Sequence, residues 1–532
     1  MDDVMLRIVA CLVTTVLFCT ATVKLLGAMQ QANYKNQTFW RWLKRKDNLY
    51  FNRLTLLSLC LLLSSAITSL CFSFLGNREA LFLSALPFLG LSFVFGVVDE
   101  KFAFKVPMKR TGRMKRLFAA YVFITACVSY IFIAGLWVLS ALNGSTLYAL
   151  IAFAPYAVMP ILLPVFLCLA NAVMGIFENA RNRKFVKRAG QVLDECSMIK
   201  VAVVGSYGKT SVKNILKTVL NERFATVETP ESYNTPIGVA KTVFSDAWQN
   251  KKVFIAEMGA RKQGDIEELC RLVKPDYAIF TGVCEQHIET FGAIENIYAE
   301  KSRIFSHTKN AVVCGESLSH WLEKDLAKNV TLSTKLQVKD VRFYAKETEC
   351  TFVLDGKEIF VKTKLLGKAA IDNMRMAALL AYEMGLTAEE IERGLAKVKP
   401  IPHRLQLLEN GGVYILDDGY NANPCGAKEA LDALGRFDGT KWVITPGIIE
   451  CGVLEECVNA QLGAEIVHSG ADKVILIGET LINAVKAGYQ SVGGDMKKLT
   501  VVKTLHEAQQ LLAKEVQTGD CVLFLNDLPD VY

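Results

Sequence analysis

The chain has 532 residues, a hydrophobic content of 52% and a mean hydropathy of +0.27, values too apolar for an ordinary soluble protein of this length. The formal net charge of +7 is modest, and we expect no nucleic-acid partner. The 15 cysteines are scattered without any C-x-x-C spacing, which argues against a zinc site and favours reduced, buried thiols.

The first third of the chain holds most of the apolar residues, in five stretches long enough to cross a bilayer, which takes about 20 residues. We expect membrane-spanning helices at 5–26, 54–75, 80–98, 117–142 and 147–176. The last stretch contains Pro155, Pro160 and Pro164, which predict a kinked or broken helix.

Lysines and arginines are concentrated in alternate loops, at 35–53, 101–116 and 181–188. The positive-inside rule then predicts a multi-pass protein of the cytoplasmic (inner) membrane, with its N-terminus outside and its C-terminal portion in the cytoplasm. The membrane lipid bilayer is therefore an expected partner. The basic loop FKVPMKRTGRMKRL fits two roles, a topology determinant near anionic head groups or a binding site for the phosphates of a lipid-linked substrate.

After the basic stretch, MIKVAVVGSYGKTSVKNILKTVL predicts a buried strand, a glycine-containing turn and an amphipathic helix. Backbone amides of such a turn, together with the helix N-terminus, cradle phosphates, and a threonine hydroxyl at this place binds Mg²⁺. The turn has two residues between its glycines where the general P-loop has four. The candidate ATP-binding residues here are Gly205, Ser206, Gly208, Lys209, Thr210 and Ser211.

This short G-x-x-G-K-T loop resembles the loop of the Mur ligases and the folylpolyglutamate synthetases. Three later segments resemble Mur ligase motifs in order and spacing: YNTPIGVAKTV, FIAEMGARKQGDIEEL, and YAIFTGVCEQHIETFGAIENIYAEKSRIF. The run IPHRLQLLENGGVYILDDGYNANP is close to the branch of the family that adds D-alanyl-D-alanine. The chain is thus identified as resembling the Mur ligase family.

The apolar stretches predict a five-helix transmembrane domain, and the resemblance implies that an α/β portion follows it, with a P-loop Mur-ligase central domain and a Rossmann-like C-terminal domain. We expect the transmembrane domain at 1–178, a basic juxtamembrane linker at 179–198, the ATP-binding central domain at 199–399 and the C-terminal domain at 400–532. Strands of the last domain are predicted near 413–416, 442–445, 474–477 and 521–524.

The resemblance also implies an ATP-dependent ligase, with ATP and Mg²⁺ as cofactors, that joins a carboxylate to an amine through an acyl phosphate, in cell-wall or envelope precursor synthesis. It assigns catalysis to Lys209, Glu257, His287 and Lys301, and metal binding to Thr210, Glu257, His287 and, if carbamylated, Lys301. It assigns further ATP contacts to Asn373, Arg404 and Asp418, and substrate contacts to Asn234, Thr235, Asn421 and Asn423.

The substrates stay open at this point. The amine is expected to be an amino acid or a dipeptide. Only about 20 residues separate the last apolar stretch from the P-loop strand, too few for the UDP-binding N-terminal domain of the cytoplasmic relatives. We therefore expect a carboxylate substrate that is lipid-linked or presented at the membrane face, with a UDP-sugar peptide as the alternative.

Two other functions compete with the ligase. An ATP-driven membrane transporter would use the same spans and P-loop, but the spans hold almost no ionisable residues to mark a pathway. A catalytically reduced nucleotide-binding regulator is suggested by Ala369 and Ala370, which replace a His-Asn pair of the family. The presence of Glu257, His287 and Lys301 argues against that second alternative.

Overall fold

The structure is a computed structural model that describes residues 8, 11–12, 15–16, 18–19, 22–44, 48, 50–71, 90–91, 93–97, 108–143, 158–285, 288–322, 329–420, 422–478 and 481–525. Two predicted site residues, His287 and Asn421, lie outside this set. The described residues fall into two compact units that divide between Asn182 and Arg183, and each unit is described by itself.

The N-terminal unit is helical over its described residues. Its helices are α1 (Val23–Gln31), α2 (Asn36–Lys44), α3 (Tyr50–Cys71), α4 (Gly112–Asn143) and the part of α5 (Met159–Glu195) that ends at Asn182. They pack on an apolar interior that includes Leu25, Phe39 and Tyr121. Two buried polar side chains of this unit pair with each other: Tyr121 and Thr22 share a hydrogen bond of 3.0 Å.

The prediction of five membrane spans is not supported. Among the described residues two helices are long and apolar enough to cross a membrane, by length and composition alone: Gly112–Phe132 and Met159–Glu195, with Tyr50–Ser64 as a shorter apolar helix. Most of the predicted spans at 5–26 and 80–98 falls on residues outside the described set. Hydropathy marks apolar stretches but not where helices end, and α1 stops at Gln31 after nine residues.

In the described part of the proline-rich stretch, helix α5 begins at Met159. Pro160 then lies in the first turn, where a missing N–H costs nothing, and Pro164 lies within the helix. No break follows Pro164, because α5 is continuous to Glu195. The expected juxtamembrane linker is therefore helical over most of its length.

The first sheet of the second unit is a six-stranded parallel sheet in the order β2-β3-β1-β4-β5-β6. Its strands are β1 (Ile199–Val204), β2 (Thr226–Glu228), β3 (Val253–Met258), β4 (Tyr277–Phe280), β5 (Val312–Cys314) and β6 (Val330–Leu332). The central strands are almost continuous runs of Val, Ile, Ala and Phe because helices cover both faces. Val203 is in register with Glu257, so the ends of β1 and β3 lie side by side.

Helices cover this sheet, and a separate small antiparallel sheet packs against two of the helices. The helices are α6 (Lys209–Leu220), α7 (Pro236–Val243), α8 (Asp265–Val273), α9 (Ile288–Phe291), α10 (Ile294–Lys301), α11 (Ile304–His307), α12 (Ser319–Leu322), α13 (Lys368–Glu383) and α14 (Ala388–Ala396). The small sheet comprises β7 (Gln337–Phe343), β8 (Thr348–Leu354) and β9 (Lys357–Thr363). Side chains such as Phe352 join it to α6 and α13 in one apolar core.

The C-terminal sheet has the order β10-β11-β15-β12-β13-β14, and only the β10–β11 pair is antiparallel. Its strands are β10 (Gln406–Asn410), β11 (Val413–Asp418), β12 (Lys441–Thr445), β13 (Lys473–Ile477), β14 (Leu499–Val502) and β15 (Cys521–Leu525). The flanking helices are α15 (Pro424–Leu434), α16 (Glu455–His468), α17 (Ile482–Ser491) and α18 (Leu505–Glu515). All four strands predicted for this region are present.

Candidate active site

The glycine loop joins β1 to α6, as predicted. Gly205 has a φ of 153°, and a β-carbon built on it would lie 1.9 Å from Thr281 Oγ1. Only glycine fits this close approach between the loop and the end of β4. The buried Ser206 hydroxyl has no hydrogen-bond partner among the described residues, although buried polar groups are normally paired. A cradle of this kind, at a helix N-terminus with an unpaired hydroxyl, fits the phosphates of ATP.

Two lysines meet at this loop. Lys209 Nζ donates to the carbonyl oxygens of Gly205 at 2.8 Å and Ser206 at 3.1 Å, and Lys301 Nζ donates to that of Gly205 at 3.0 Å. Burial lowers the pKa of Lys209. Burial, with the nearby charge of Lys209, lowers the pKa of Lys301 to about 7. An amine with this pKa is partly neutral near pH 7, the form that carbamylation requires, and carbamylation of Lys301 stays a prediction.

The metal-binding prediction for Thr210 and Glu257 fits the geometry. Thr210 Oγ1 lies 3.0 Å from Glu257 Oε2, beside the glycine loop, and the Glu257 side chain is almost completely buried. Mg²⁺ prefers hard oxygen ligands and is commonly held by one or two protein groups together with substrate phosphates. Among the described residues, no group of three or more His, Cys, Asp or Glu side chains could hold a metal ion, and the predicted ligand His287 lies outside that set.

Glu257 has three further neighbours. Lys213 Nζ lies 3.1 Å from Oε2, Asn234 Nδ2 lies 3.3 Å from Oε1, and the Glu257 amide donates to Thr229 Oγ1 at 3.0 Å. Asn234 was predicted as a substrate contact, and here its amide holds the carboxylate. Its neighbour Thr235 accepts a hydrogen bond from the Gly238 amide and caps α7.

Asn373 and Ser211 both lie close to the glycine loop. A β-carbon built on Gly208 would lie 3.0 Å from Asn373 Oδ1, so this predicted ATP contact lies against the glycine loop. Ser211 is in the first turn of α6. Ala370, one of the two alanines that replace a His-Asn pair of the family, is buried in the core. Glu429 caps the N-terminus of α13, the helix that carries Asn373 and Ala370: its Oε2 accepts a hydrogen bond from the amide of Lys368 at 2.8 Å.

The C-terminal sheet contributes Arg404 and Asp418. Arg404 donates to the carbonyl oxygen of Tyr420 at 2.9 Å, and its guanidinium lies 4.6 Å from the centre of the Tyr420 ring. Burial lowers the pKa of Arg404, and the charges of Asp418 and Glu257 act against that effect. Burial raises the pKa of Asp418 to about 6, although its carboxylate accepts from the Leu405 amide at 3.0 Å.

Asn423 caps α15 by accepting from the Gly426 amide at 3.0 Å. Its Oδ1 also lies 3.9 Å from the thiol of Cys284, which follows β4. The tyrosine ring of Tyr420 reaches the other sheet as well, because its hydroxyl lies 2.7 Å from Ser232 Oγ. These contacts bring the loops of both sheets to one place.

Sequence reasoning missed the roles of several residues in this site, Lys213 first among them. Lys213 follows Val212 on the buried face of α6, where the helix otherwise carries apolar residues such as Leu216. A lysine among such positions was a signal that it has a buried partner. The contacts of Thr281, Ser232 and Glu429 had no local signal, because each partner is distant in the chain.

Comparisons with known proteins agree with this geometry. The Mur ligase middle domain matches residues 203–381, and the domain described as "Mur ligase, glutamate ligase domain" matches residues 403–526. The UDP-N-acetylmuramoyl-tripeptide–D-alanyl-D-alanine ligase of Bacillus subtilis is 27% identical over 350 residues, which cover 62% of this chain and 74% of that protein. The Escherichia coli ligase of the same name is 29% identical over 294 residues, 52% of this chain and 64% of that protein.

Among solved structures, the MurF ligase of Thermotoga maritima in complex with ADP is similar, with a TM-score of 0.58 and 27% identity over 65% of this chain and 80% of that chain. A MurF from Acinetobacter baumannii has the same fold at 21% identity, with a TM-score of 0.58 over 65% of this chain and 77% of that chain. The first of the two matched domains begins at residue 203, so neither match includes residues 1–202. The chain belongs to the Mur ligase family of ATP- and Mg²⁺-dependent ligases.

Proposed function

We propose that this protein joins a carboxylate to an amine through an acyl phosphate, in the synthesis of a cell-wall or envelope precursor. The observation that carries the proposal is the convergence of Lys209, Lys301 and Arg404 with the Thr210–Glu257 pair at one glycine loop. Attack of a carboxylate on the γ-phosphate of ATP brings two anions together, so catalysis depends on neutralising charge and holding geometry. Lys209 and Arg404 supply positive charge beside the phosphate cradle, and the Thr210–Glu257 pair offers oxygen ligands for a metal ion.

The reaction proceeds in two steps. A carboxylate oxygen attacks the γ-phosphorus, the bond to the β-phosphate oxygen breaks, and ADP leaves. The amine nitrogen then attacks the acyl carbon, and phosphate leaves with the oxygen that bonded to phosphorus. Thr210 and Glu257 would hold Mg²⁺, which would supply positive charge next to the phosphates. Lys209 lies where it stabilises the negative charge that develops on the transferred group.

The relatives named as D-alanyl-D-alanine ligases suggest the amine. We propose D-alanyl-D-alanine, and a muramoyl peptide as the carboxylate. Phosphate release by the purified full-length protein tests the ligase against its alternatives. A ligase releases phosphate only when carboxylate and amine are both present, whereas release with ATP alone, at the same rate, would indicate a transporter-type ATPase. Binding of ATP with no turnover under any substrate pair would indicate a nucleotide-binding regulator.

We further propose that the protein is embedded in the cytoplasmic membrane by its N-terminal unit, with the catalytic sheets in the cytoplasm. Large apolar side chains on α4 and α5 face outward, among them Phe123, Ile131 and Ile176, each more than two-thirds exposed. Such surfaces are unfavourable in water and suit lipid. Protease treatment of inside-out vesicles should digest the catalytic unit, whereas intact spheroplasts should protect it. The opposite pattern would contradict the orientation.

A cluster of arginines in this unit supports a lipid-linked carboxylate substrate. The buried Glu178 binds Arg116 and Arg181, each at 2.6 Å, and Arg113 lies 3.7 Å from the centre of the Tyr34 ring. Three arginines against one carboxylate leave excess positive charge, and arginine binds phosphate oxygens in a planar, bidentate way. The cluster therefore suits the phosphates of a lipid carrier.

The full-length protein in nanodiscs, supplied with D-alanyl-D-alanine, allows two acceptors to be compared. We expect a higher kcat/KM for a muramoyl tripeptide on a polyprenyl diphosphate than for the soluble UDP-linked tripeptide. Arg113→Gln should lower kcat/KM for the lipid-linked acceptor only. Equal or faster turnover of the soluble acceptor would contradict the lipid-linked proposal and leave the ligase proposal intact.

A further inference from the structure

Lys213 is a buried lysine one turn after Lys209 on α6. Its ion pair with Glu257 is the one pair among the described residues in which both side chains are nearly inaccessible, at 1% and 2% exposure. Both charges have been removed from water, which is costly unless their remaining hydrogen bonds are satisfied. Because Glu257 is also a predicted metal ligand, this buried pair lies at the predicted metal site.

The hydrogen bonds of Lys213 are complete. Its ammonium group has three donors, and it has three acceptors: Glu257 Oε2 and the carbonyl oxygens of Thr229 and Glu231. The two carbonyls belong to the end of β2 and the loop that follows it, so the ammonium is held by backbone on one side and by the carboxylate on the other. Lys213 is thereby directed at Glu257, whereas the Lys209 ammonium donates to the carbonyl oxygens of the glycine loop.

Glu257 is equally constrained. Lys213 and Thr210 share its Oε2, and the Asn234 amide takes Oε1. The carboxylate therefore has the orientation that a metal ligand beside Thr210 requires, and its charge is balanced from within the protein. An additional dication at this place would feel the attraction of Glu257 and the repulsion of Lys213 together.

We propose that Lys213 is the internal counterion of Glu257, a positioning residue that keeps the carboxylate oriented beside Thr210 and makes Mg²⁺ binding depend on the nucleotide. With Lys213 in place, the Thr210–Glu257 site has no net negative charge with which to attract Mg²⁺ alone. The phosphates of ATP supply that charge, so metal and nucleotide bind as one unit. This role does not depend on which carboxylate and amine the enzyme joins.

Lys217 provides a matched control. It lies one turn further along the same helix and forms an ion pair of the same length, 3.1 Å, with Glu228. The Lys217 side chain is 38% exposed, so solvent screens its pair, and Glu228 is no metal ligand. Lys213→Met and Lys217→Met remove the same charge from the same helix, one beside the metal site and one away from it.

The test measures Mn²⁺ affinity of the full-length protein in detergent at pH 8, without nucleotide, by electron paramagnetic resonance of the free ion. Lys213→Met should tighten Mn²⁺ binding by at least about tenfold, because the repelling charge is gone. Lys217→Met and Lys213→Arg should leave the affinity of the wild type unchanged. Thermal unfolding of Lys213→Met should show a lowered Tm that Mg²⁺ alone partly restores, a response that the wild type lacks.

Unchanged or weaker Mn²⁺ binding by Lys213→Met, with a Tm loss that Mg²⁺ does not reduce, would show that Lys213 is merely structural and would overturn the proposal. If Lys213→Met does not fold, the double variant Lys213→Met/Glu257→Gln decides the matter. The proposal expects the double variant to fold, since it leaves no unbalanced buried charge. Failure of the double variant to fold would mean that Lys213 serves only the carbonyls of Thr229 and Glu231.

Discussion

Substitution of Gly205 by alanine should damage the phosphate loop through two separable effects. The backbone there has a φ of 153°, and the new β-carbon would lie 1.9 Å from Thr281 Oγ1 and 3.2 Å from Thr281 Cβ. The unfavourable backbone conformation costs about 1–3 kcal/mol, and the overlap adds about 1–3 kcal/mol as the loop shifts. We therefore expect a loss of about 2–6 kcal/mol in the local stability of β1 and α6.

Hydrogen exchange of the amides of β1 and α6 measures this loss as a free energy of opening. Gly264→Ala is the matched control, because Gly264 has a φ of 92° with nothing within 4 Å of a built β-carbon. Gly264→Ala should lower the local stability around residue 264 only by the cost of the unfavourable backbone conformation, with no contribution from overlap. ADP affinity should fall in Gly205→Ala and be unaffected in Gly264→Ala.

Thr281→Ala isolates the overlap. It removes the Oγ1 atom in the way and, with it, the hydrogen bond that Thr281 donates to the Tyr207 carbonyl, worth about 1 kcal/mol. Combined with Gly205→Ala, it should give a loss smaller than the sum of the single losses, with a coupling of about 1–2 kcal/mol. Additive losses, or a Gly205→Ala cost no larger than that of Gly264→Ala, would refute the close-packing argument.

Three further outcomes are expected. Lys301→Ala should abolish ligation, and short-chain carboxylic acids should partly restore it by replacing a carbamate; failure of every acid to restore activity would argue against carbamylation. The raised pKa of Asp418, about 6, means that the folded state favours the neutral carboxyl, so this group costs stability as the pH rises from about 4 through about 6. Asp418→Asn should therefore raise the urea midpoint at pH 8 but not at pH 4, and an equal gain at both would contradict the assignment. Cys425 is exposed, and a hydrogen bond from Cys284 lowers its pKa, whereas burial raises the pKa of Cys270 to about 12. N-ethylmaleimide should therefore modify Cys425 before Cys270. The reverse order of labelling would contradict this expectation.

The parts of the site that the sequence predicts are those with local signals. A buried strand, a short glycine turn and a helix locate Lys209 and Thr210, because the pattern and the chemistry occupy consecutive residues. Glu257 could be placed because it nears the end of an apolar strand. In a parallel sheet such strand ends meet at one edge, so the meeting of Thr210 and Glu257 follows from the strand pattern.

What could not be predicted depends on packing between distant residues. The partner of Lys213 is known only once β3 lies beside α6, and the contact between Ser232 and Tyr420 only once the two sheets meet. The position of Asn373 against Gly208 could not be predicted either, since a motif gives the helix but not the direction of its side chains. Five spans are not supported among the described residues, because hydropathy gives the extent of apolar sequence without the points where helices start and stop.

Oxygen transfer from the carboxylate to phosphate tests the central claim most directly. The full-length protein is supplied with ATP, the amine and a carboxylate substrate labelled with ¹⁸O at the reacting carboxyl group, and the released phosphate is analysed by mass spectrometry. Attack by the carboxylate on the γ-phosphate predicts one ¹⁸O atom in each phosphate released, in proportion to amide formed. Amide formation with unlabelled phosphate would contradict the acyl-phosphate pathway.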